Sequence, residues 1–413
     1  MIAAATLAAS LQLSAAQTSS IDAQVRSVMR AEHIPGLSLG IARSGHVLLA
    51  RGYGVRDLAT RAPADARTVY RIGSITKQFT AALVLREIEA GTLQLDSEIR
   101  GFTVEQLLAQ TSGAPSYTDP GQSLDRALRS PPDFTPGSQW EYSNTNYYLL
   151  GSVLGAVRAE SYEDLLDDEI IKPLQLHDTT FQLPTVPDRA LGYAWNGSRN
   201  VAAAESDNDD PEVASSASAM SSNVVDLLGW LAALQRGSIV SRDDFSAMTT
   251  SRSLDDGTLT HYGYGFFVDD WYGWPVAQHS GLIDGFSGAD AISTDDRLEL
   301  VALTNEDRVS LVPLLKGIFA IVDTPKDAAL VATLTHPPEN EDAQTTALVR
   351  LLAVGLERAH PLGEVEAVDF TETSTRDGVS YVTYRITYDA GQYLLTLGRK
   401  RGAIVSLTFL PVR

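Results

Sequence analysis

Three short motifs in this chain contain residues of the types and spacings that acyl transfer through a serine requires. The first is Ser74 and Lys77, three residues apart at the predicted start of a helix. A serine hydroxyl is too weak an acid to attack a carbonyl group unaided, and a lysine on the same helix face can reach it and accept its proton. The positive end of the helix dipole also lowers the pKa of such a lysine. Taken alone, the pair is also consistent with a serine helix cap beside a solvent-exposed lysine.

The second motif is Tyr142 and Asn144, in a loop that follows Pro136-Gly137 and precedes an apolar helix beginning near Asn146. A tyrosine can act as a general base when a nearby cation stabilises its phenolate, and an asparagine can hold both a substrate amide and a lysine. The alternative interpretation is an aromatic-rich helix entry without a chemical role.

The third motif is His279, Ser280 and Gly281, in what the pattern predicts to be an edge strand leading into a glycine-rich turn. Gly281 would let a substrate backbone approach the strand closely. The backbone N–H of Leu282 would then join that of Ser74 in stabilising an oxyanion. The alternative interpretation is a surface histidine without a chemical role, which is the usual case for a single histidine in a loop.

The first elements that must position these motifs are predicted from hydrophobic periodicity. An amphipathic helix is predicted over residues 20–33 with Ser20 as its N-cap, and a β-hairpin turning at Ser44-Gly45 follows it. The helix that carries the lysine is predicted from about Ile75 to Ala90.

The rest of the main domain is predicted to be helical first and then β-rich. Helical patterns run from about 103 to 235, strand patterns return near 262–305, and a last helix is predicted near 309–322. This order indicates an α+β fold in which one antiparallel sheet, built from both ends of the domain and flanked by helices, receives an inserted all-helical region.

The C-terminal part of the chain has a different character. A polar linker over residues 326–340 is followed by an amphipathic helix and four alternating β segments. We therefore predict a main domain over 17–325 and a small α+β domain over 341–413, a helix plus a four-stranded antiparallel sheet.

The charge excludes several classes of partner. The chain of 413 residues has a formal net charge of −20, which argues against nucleic acid and anionic membrane surfaces as partners because both would repel it. There are no cysteines, which excludes disulfides, thiol nucleophiles and cysteine-based metal sites. No segment is long and apolar enough to be a transmembrane anchor.

The N-terminus suggests export. Residues 1–16 are apolar and alanine-rich, with Ser14 and Ala16 placed as a signal peptidase would require, although no Lys or Arg precedes Arg26. We expect a signal peptide and a periplasmic or secreted protein; a cytoplasmic leader segment is the alternative.

The three motifs, in this order and with these gaps, resemble the active-site motifs of the penicillin-recognising serine hydrolases. The similarity is to the branch with class C β-lactamases, D-alanyl-D-alanine carboxypeptidases, D-aminopeptidases and family VIII esterases. It covers about residues 20–325, and LLAQTSGAPSY (107–117) and PGSQWEYSNTNYYLLG (136–151) resemble family segments beyond the motifs themselves.

The resemblance implies a role for each site residue. Ser74 would be the nucleophile, Lys77 its deprotonating or proton-relaying partner, and Tyr142 the base that later protonates the leaving group. Asn144 would bind the substrate amide and the lysine, and His279, Ser280 and Gly281 would line the substrate site. The N–H groups of Ser74 and Leu282 would form the oxyanion hole, and no metal or organic cofactor is implied.

His279 is a departure that bears on the substrate. Many β-lactamases have a lysine there, whose fixed charge favours a substrate carboxylate, whereas a histidine is largely neutral at pH 7. Gln278 and Asn146 stand where relatives often have glycine and are expected to reshape the rim of the cleft. These features favour hydrolysis of small esters or of D-amino-acid amides and peptides.

Three alternatives remain at this stage. Two are enzymes of the same mechanism, a D-alanyl-D-alanine carboxypeptidase and a weak β-lactamase. The third is a protein of a different class, a peptide- or penicillin-binding sensor or scaffold that does not turn over. A homo-oligomer is compatible with each of them.

Overall fold

The computed structural model describes residues 12–119, 122–181, 188–203, 216–295, 297–323, 365–376, 379–388, 391–400 and 403–411. The chain divides into two compact units, Met1–Asp323 and Thr324–Arg413. The predicted linker and the whole of the predicted C-terminal helix lie outside the described residues.

The strands of the first unit include short two- or three-residue pairs and the longer members of one main sheet. In chain order they are β1 (Gly36–Arg43), β2 (His46–Gly54), β3 (Tyr70–Arg71), β4 (Glu98–Ile99), β5 (Phe102–Thr103), β6 (Tyr193–Trp195), β7 (Asn200–Ala202), β8 (Ser221–Ser222), β9 (Phe267–Trp271), β10 (Trp274–Ile283), β11 (Phe286–Ser293) and β12 (Leu298–Thr304).

The main sheet is antiparallel and has the order β2-β1-β12-β11-β10-β9. Strands from the beginning and from the end of this unit's sequence meet at the centre of the sheet, because β1 pairs with β12. The register of this pair places Leu37 opposite Thr304. The predicted α+β fold, with a sheet built from both ends of the domain, is therefore confirmed. All residues of β11 and β12 are buried, as expected for central strands covered on both faces.

The helices of the first unit range from single turns to seventeen residues. They are α1 (Ala15–Ala31), α2 (Thr76–Glu89), α3 (Val104–Leu108), α4 (Leu124–Arg129), α5 (Asn144–Arg158), α6 (Tyr162–Leu166), α7 (Lys172–Leu174), α8 (Val224–Arg236), α9 (Arg242–Met248) and α10 (Val312–Val322), with a 3₁₀ turn at Gly73–Ile75 and a π-helical turn at Asp167–Ile171. Helix α8 packs against β1 and β12, and α10 against β11, β12 and α1. Among the described helices, none combines the length and apolar character that a membrane crossing requires.

The first helix begins earlier than the sequence pattern predicted. Its N-cap is Ser14, not Ser20, and Ser14 and Gln17 form a reciprocal capping box. Gln17 also donates to the carbonyl of Ile321 at the end of α10, 2.9 Å away. The expected signal-peptide boundary after Ala16 thus falls inside α1.

The second unit contains a four-stranded antiparallel sheet among its described residues. The strands β13 (Val365–Arg376), β14 (Val379–Tyr388), β15 (Gly391–Lys400) and β16 (Ala403–Pro411) pair in sequence order. They coincide with the four alternating segments of the C-terminal sequence.

A buried carboxylate in the main sheet predicts how stability depends on pH. Glu299 on β12 is fully buried, accepts a hydrogen bond from the Gly45 N–H at 3.1 Å, and has its pKa raised by burial from 4.5 to about 7. A raised carboxyl pKa contributes stability that is present below the unfolded pKa and is lost as the pH rises through the folded one. Ionisation of Glu299 should therefore lower the free energy of unfolding of the wild type by up to about 3 kcal/mol between pH 5 and pH 8. We expect this decrease to be missing in Glu299→Gln. Melting curves of both proteins at the two pH values test this, and curves that shift in parallel would contradict it.

Candidate active site

The 3₁₀ turn that carries Ser74 packs directly against β10. Gly73 has φ +51°, and a Cβ atom there would lie 2.8 Å from the Leu282 nitrogen. A Cβ on Gly281 would lie 1.9 Å from the Ile72 carbonyl oxygen and 3.4 Å from the Ser74 nitrogen. Glycine at both positions therefore allows a close contact that no larger residue permits. The contact brings the backbone nitrogens of Ser74 and Leu282 to neighbouring positions, as an oxyanion hole requires.

This packing corrects two expectations for the third motif. Gly281 accommodates the protein's own backbone, where the sequence suggested an approaching substrate. In addition, β10 is not an edge strand over its first half, since Trp274–Gln278 pair with β9 on one side and β11 lies on the other. Because the pairing with β9 ends at Gln278, the part of β10 that carries the motif keeps one unpaired edge next to Ser74.

Lys77 lies at the centre of the site. Its side chain is fully buried, and Nζ lies 3.1 Å from Ser74 Oγ, 2.7 Å from Asn144 Oδ1 and 2.9 Å from the Ala217 carbonyl oxygen. The last two atoms can only accept hydrogen bonds. A neutral amine therefore uses its two hydrogens on them and directs its lone pair at the serine hydroxyl.

Burial favours that neutral amine. Removal of Lys77 from water lowers its pKa well below 10.5, and no carboxylate forms an ion pair with it among the described residues. A lysine without a counter-charge in such surroundings can serve as a base near neutral pH.

Asn144 is fixed by a loop of polar side chains. It is the first residue of α5, and its Nδ2 donates to Thr118 Oγ1 at 2.9 Å while its backbone N–H donates to Ser116 Oγ at 3.2 Å. The amide oxygen is thereby oriented toward Lys77, and Asn144 remains half-buried at the site surface.

Asn146 does not reshape the cleft rim as expected. It is fully buried, accepts a short hydrogen bond from Ser112 Oγ and donates to Gln110 Oε1. Gln110 Oε1 also accepts from the Ser143 N–H. Asn146 thus ties the 107–117 loop to the start of α5, and so helps to hold Tyr142 and Asn144 in place.

Tyr142 presents its hydroxyl to the same site. Lys77 Nζ lies 4.8 Å from the centre of its ring, and the phenol oxygen makes no full hydrogen bond to any residue that the structure describes. Burial, and then the neighbouring Tyr262, raise the pKa of Tyr142 well above 10, while the Ser74 hydroxyl is close enough to offset this slightly. Tyr142 is therefore a protonated phenol at neutral pH, suited to donate a proton rather than to remove one.

We expect Tyr142→Phe to lower kcat by about 10²- to 10³-fold on an amide substrate and to change KM little, because it removes a proton donor without removing binding surface. The loss is expected to be smaller on an ester with a good leaving group, which needs no protonation. Steady-state kinetics on both substrates measure this, with Tyr53→Phe on β2 as the matched control. Equal losses on the two substrates would contradict the proton-donor role.

His279 lies behind the site surface. Its side chain is buried, Nδ1 lies 2.6 Å from the Ser280 carbonyl oxygen and Nε2 lies 3.2 Å from the Tyr262 hydroxyl. Because a carbonyl can only accept, Nδ1 carries the proton and Nε2 accepts from Tyr262. Burial, together with the charge of Lys77 when protonated, lowers the pKa of His279 to about 3, so that the ring is neutral.

The remaining motif residues lie at the site surface or in its floor. Ser280 is half-buried, Gly281 is buried against the 3₁₀ turn, and the Leu282 side chain is 55% exposed beside its own backbone N–H. The Phe267 ring is stacked on that of Tyr142 with 6.2 Å between ring centres, and the Trp140 ring lies edge-on to Phe267 at 6.0 Å. One side of the site is therefore apolar.

Three contributors were not identified from the sequence. The Ala217 carbonyl has no distinguishing side chain, and Tyr262 lies 17 residues before His279 within a predicted strand, where its residue type signals no chemical role. Gln110 could have been noticed, because it belongs to the LLAQTSGAPSY segment, but its contacts with Ser143 and Asn146 follow only from the fold. Among the described residues, no group of three or more His, Asp or Glu side chains is arranged to hold a metal ion.

Comparison with known proteins identifies a family and several relatives. The Beta-lactamase family model matches residues 21–354. Protein flp of Staphylococcus aureus (strain MW2) is 26% identical over 368 residues, which cover 80% of this chain and 72% of that protein. The D-aminopeptidase of Gluconobacter oxydans (strain 621H) is 23% identical over 357 residues, covering 76% of this chain and 62% of that enzyme.

A solved structure has a similar fold. The octameric penicillin-binding protein homologue from Pyrococcus abyssi superimposes with a TM-score of 0.67 at 22% identity, covering 96% of this chain and 98% of that one. Since the family model also spans most of the sequence, this chain belongs to the Beta-lactamase family of serine hydrolases.

Proposed function

We propose that this protein is an exported serine hydrolase that acts through an acyl-enzyme on small neutral esters or D-amino-acid amides and peptides. The observation that carries the proposal is the 3.1 Å contact between Ser74 Oγ and a buried Lys77 whose lone pair is free for the serine proton. The apolar N-terminal segment supports export, and the similarity to a D-aminopeptidase supports the D-amino-acid class.

Acylation follows from this arrangement. Lys77 removes the hydroxyl proton as Ser74 Oγ attacks the substrate carbonyl, and the Ser74 and Leu282 N–H groups stabilise the oxyanion. Collapse of the tetrahedral intermediate breaks the bond to the leaving group, which takes a proton from Tyr142. The phenolate regains a proton from Lys77, which returns the lysine to its neutral form.

Deacylation repeats the same steps with water as the nucleophile. Lys77, which is neutral again, accepts the proton of the attacking water, with the Tyr142 phenol passing on its own proton as a relay where needed, and one proton returns to Ser74 Oγ as the ester bond breaks. Asn144, which is half-buried and donates through Nδ2, is positioned to orient an acyl-side amide.

Among the described residues, the site contains no fixed cation, and this supports a neutral substrate. Both cationic candidates at the site, Lys77 and His279, have lowered pKa values, so neither offers a permanent positive charge to a carboxylate. A D-alanyl-D-alanine carboxypeptidase or an efficient β-lactamase must bind such a carboxylate. The partially exposed Phe267 and the exposed Leu282 favour an uncharged apolar substrate.

The proposal is tested with a panel of a p-nitrophenyl acyl ester, a D-alanine p-nitroanilide and a chromogenic cephalosporin. We expect turnover of the first two and little of the third, with a transient acyl mass on the peptide that contains Ser74. Turnover without this adduct would contradict the acyl-enzyme mechanism.

Two results would favour the alternatives. Release of D-alanine from a cell-wall peptide would indicate the carboxypeptidase. A stable adduct without product release would indicate the sensor or scaffold. A homo-oligomer is also proposed, because the Pyrococcus abyssi homologue is octameric, and sedimentation would measure the assembly state.

A further inference from the structure

A buried carboxylate next to the site has no part in the chemistry described above. Asp290 lies on β11 directly opposite His279, is fully buried, and has its pKa raised by burial to about 7. In the part of the chain that the structure describes, no basic side chain forms an ion pair with it. Burial of a carboxylate without a counter-charge reduces the stability of the fold, whereas an apolar residue could fill the same space without this penalty.

The hydrogen bonds of Asp290 reach two different elements. Gln78 Nε2 on α2 lies 2.8 Å from both carboxylate oxygens, and the His279 N–H on β10 donates to Oδ1 at 3.2 Å. The orientation of Gln78 is fixed by a third contact, since its Oε1 accepts from Trp230 Nε1 at 3.0 Å. An indole nitrogen can only donate, so the amide group of Gln78 cannot be turned around without losing that bond.

These two elements carry the two halves of the oxyanion hole. Gln78 follows Lys77 on α2, directly after the turn that carries Ser74. His279 precedes Leu282 by three residues on β10. Asp290 is thus a bridge between the elements whose separation determines whether the two backbone N–H groups can reach the same oxygen.

We propose that Asp290 is a positioning residue that holds α2 and β10 at the separation needed for oxyanion stabilisation, an inference that rests on the proposed acyl-enzyme function. Oxyanion contacts tighten in the transition state more than in the bound substrate. Disturbing the bridge therefore lowers kcat and leaves KM nearly unchanged, whereas a purely structural role would reduce stability alone.

The test is a reciprocal exchange of donor and acceptor. Asp290→Asn places an amide NH₂ group against that of Gln78, and Gln78→Glu places a second carboxylate against Asp290. The double variant Gln78→Glu/Asp290→Asn restores one donor opposite one acceptor and still offers an oxygen to Trp230. We expect each single variant to lose about 10- to 100-fold in kcat, and the double variant to return to within about threefold of the wild type.

Active sites are counted by labelling the protein to completion with a fluorophosphonate, and kcat is calculated per labelled site. Any misfolded fraction of the protein is therefore left out of kcat. Gln78→Met, which keeps the volume and removes the amide, is a further variant should Asp290→Asn fail to fold. Glu299→Gln is the matched control, since it also alters a fully buried carboxylate of the same sheet, and its kcat is expected to equal that of the wild type.

Each outcome has a defined meaning. A kcat loss in the single variants with recovery in the double variant supports the positioning role. Single variants with lower melting temperatures but wild-type kcat per labelled site, or a double variant without recovery, would overturn it. A wild type without turnover, or turnover that survives Ser74→Ala, would instead overturn the proposed function, and this inference with it.

Discussion

Replacement of Ser74 by alanine is expected to lower kcat/KM by about 10⁴- to 10⁶-fold for every substrate that the wild type hydrolyses. Ser74 Oγ is the only hydroxyl that Lys77 Nζ reaches within hydrogen-bond distance among the described residues. Without it the lysine has no nucleophile to activate. The remaining activity would come from the two backbone donors, which still stabilise an oxyanion formed by water.

The experiment compares turnover and adduct formation in the wild type and Ser74→Ala. Ser152→Ala is the matched control, because Ser152 is an exposed serine on α5 whose hydroxyl donates to its own helix. Melting temperatures should agree within a few degrees, since Ser74 is only half-buried and is not the N-cap of α2, which is Ile75. Retention of full activity in Ser74→Ala would disprove the mechanism.

Substitution of Lys77 is the second large effect that we expect. Lys77→Met removes the base while keeping most of the side-chain volume, and kcat/KM should fall by about 10³- to 10⁵-fold. The kcat/KM of Lys77→Arg should fall by as much, because a guanidinium stays protonated and cannot accept the serine proton. Equal losses in the two variants would therefore identify proton acceptance, and not positive charge, as the function of Lys77.

The pH profile gives an independent measurement of the same role. The wild type is active when Lys77 is neutral, so kcat/KM should decline as the pH falls through the lowered pKa of this lysine. The control is Lys172→Met at an exposed lysine paired with Asp167 and Asp168, which should leave the profile unchanged. Full activity in Lys77→Arg, or an acidic limb that persists in Lys77→Met, would exclude Lys77 as the base.

Much of the fold could be predicted because its signals are local. The hairpin at Ser44-Gly45 and strands β9 to β12 follow from alternating apolar residues, and Gly91 ends α2 with a φ of 77°. The start of α1 was misplaced although its signal was present, since the Ser14–Gln17 capping box lies in an alanine-rich stretch that resembled a leader peptide.

The sequence by itself determined which residues are candidates for chemistry, because Ser74 and Lys77 lie close together in the chain, as do Tyr142 and Asn144. Only the tertiary structure decided their chemical state. The neutral Lys77 and His279 follow from burial by segments far away in the chain, and the Ala217 and Asp290 contacts follow from packing between elements separated by more than a hundred residues. A pKa depends on every group that excludes water from a side chain, and those groups are brought together by folding rather than by sequence spacing.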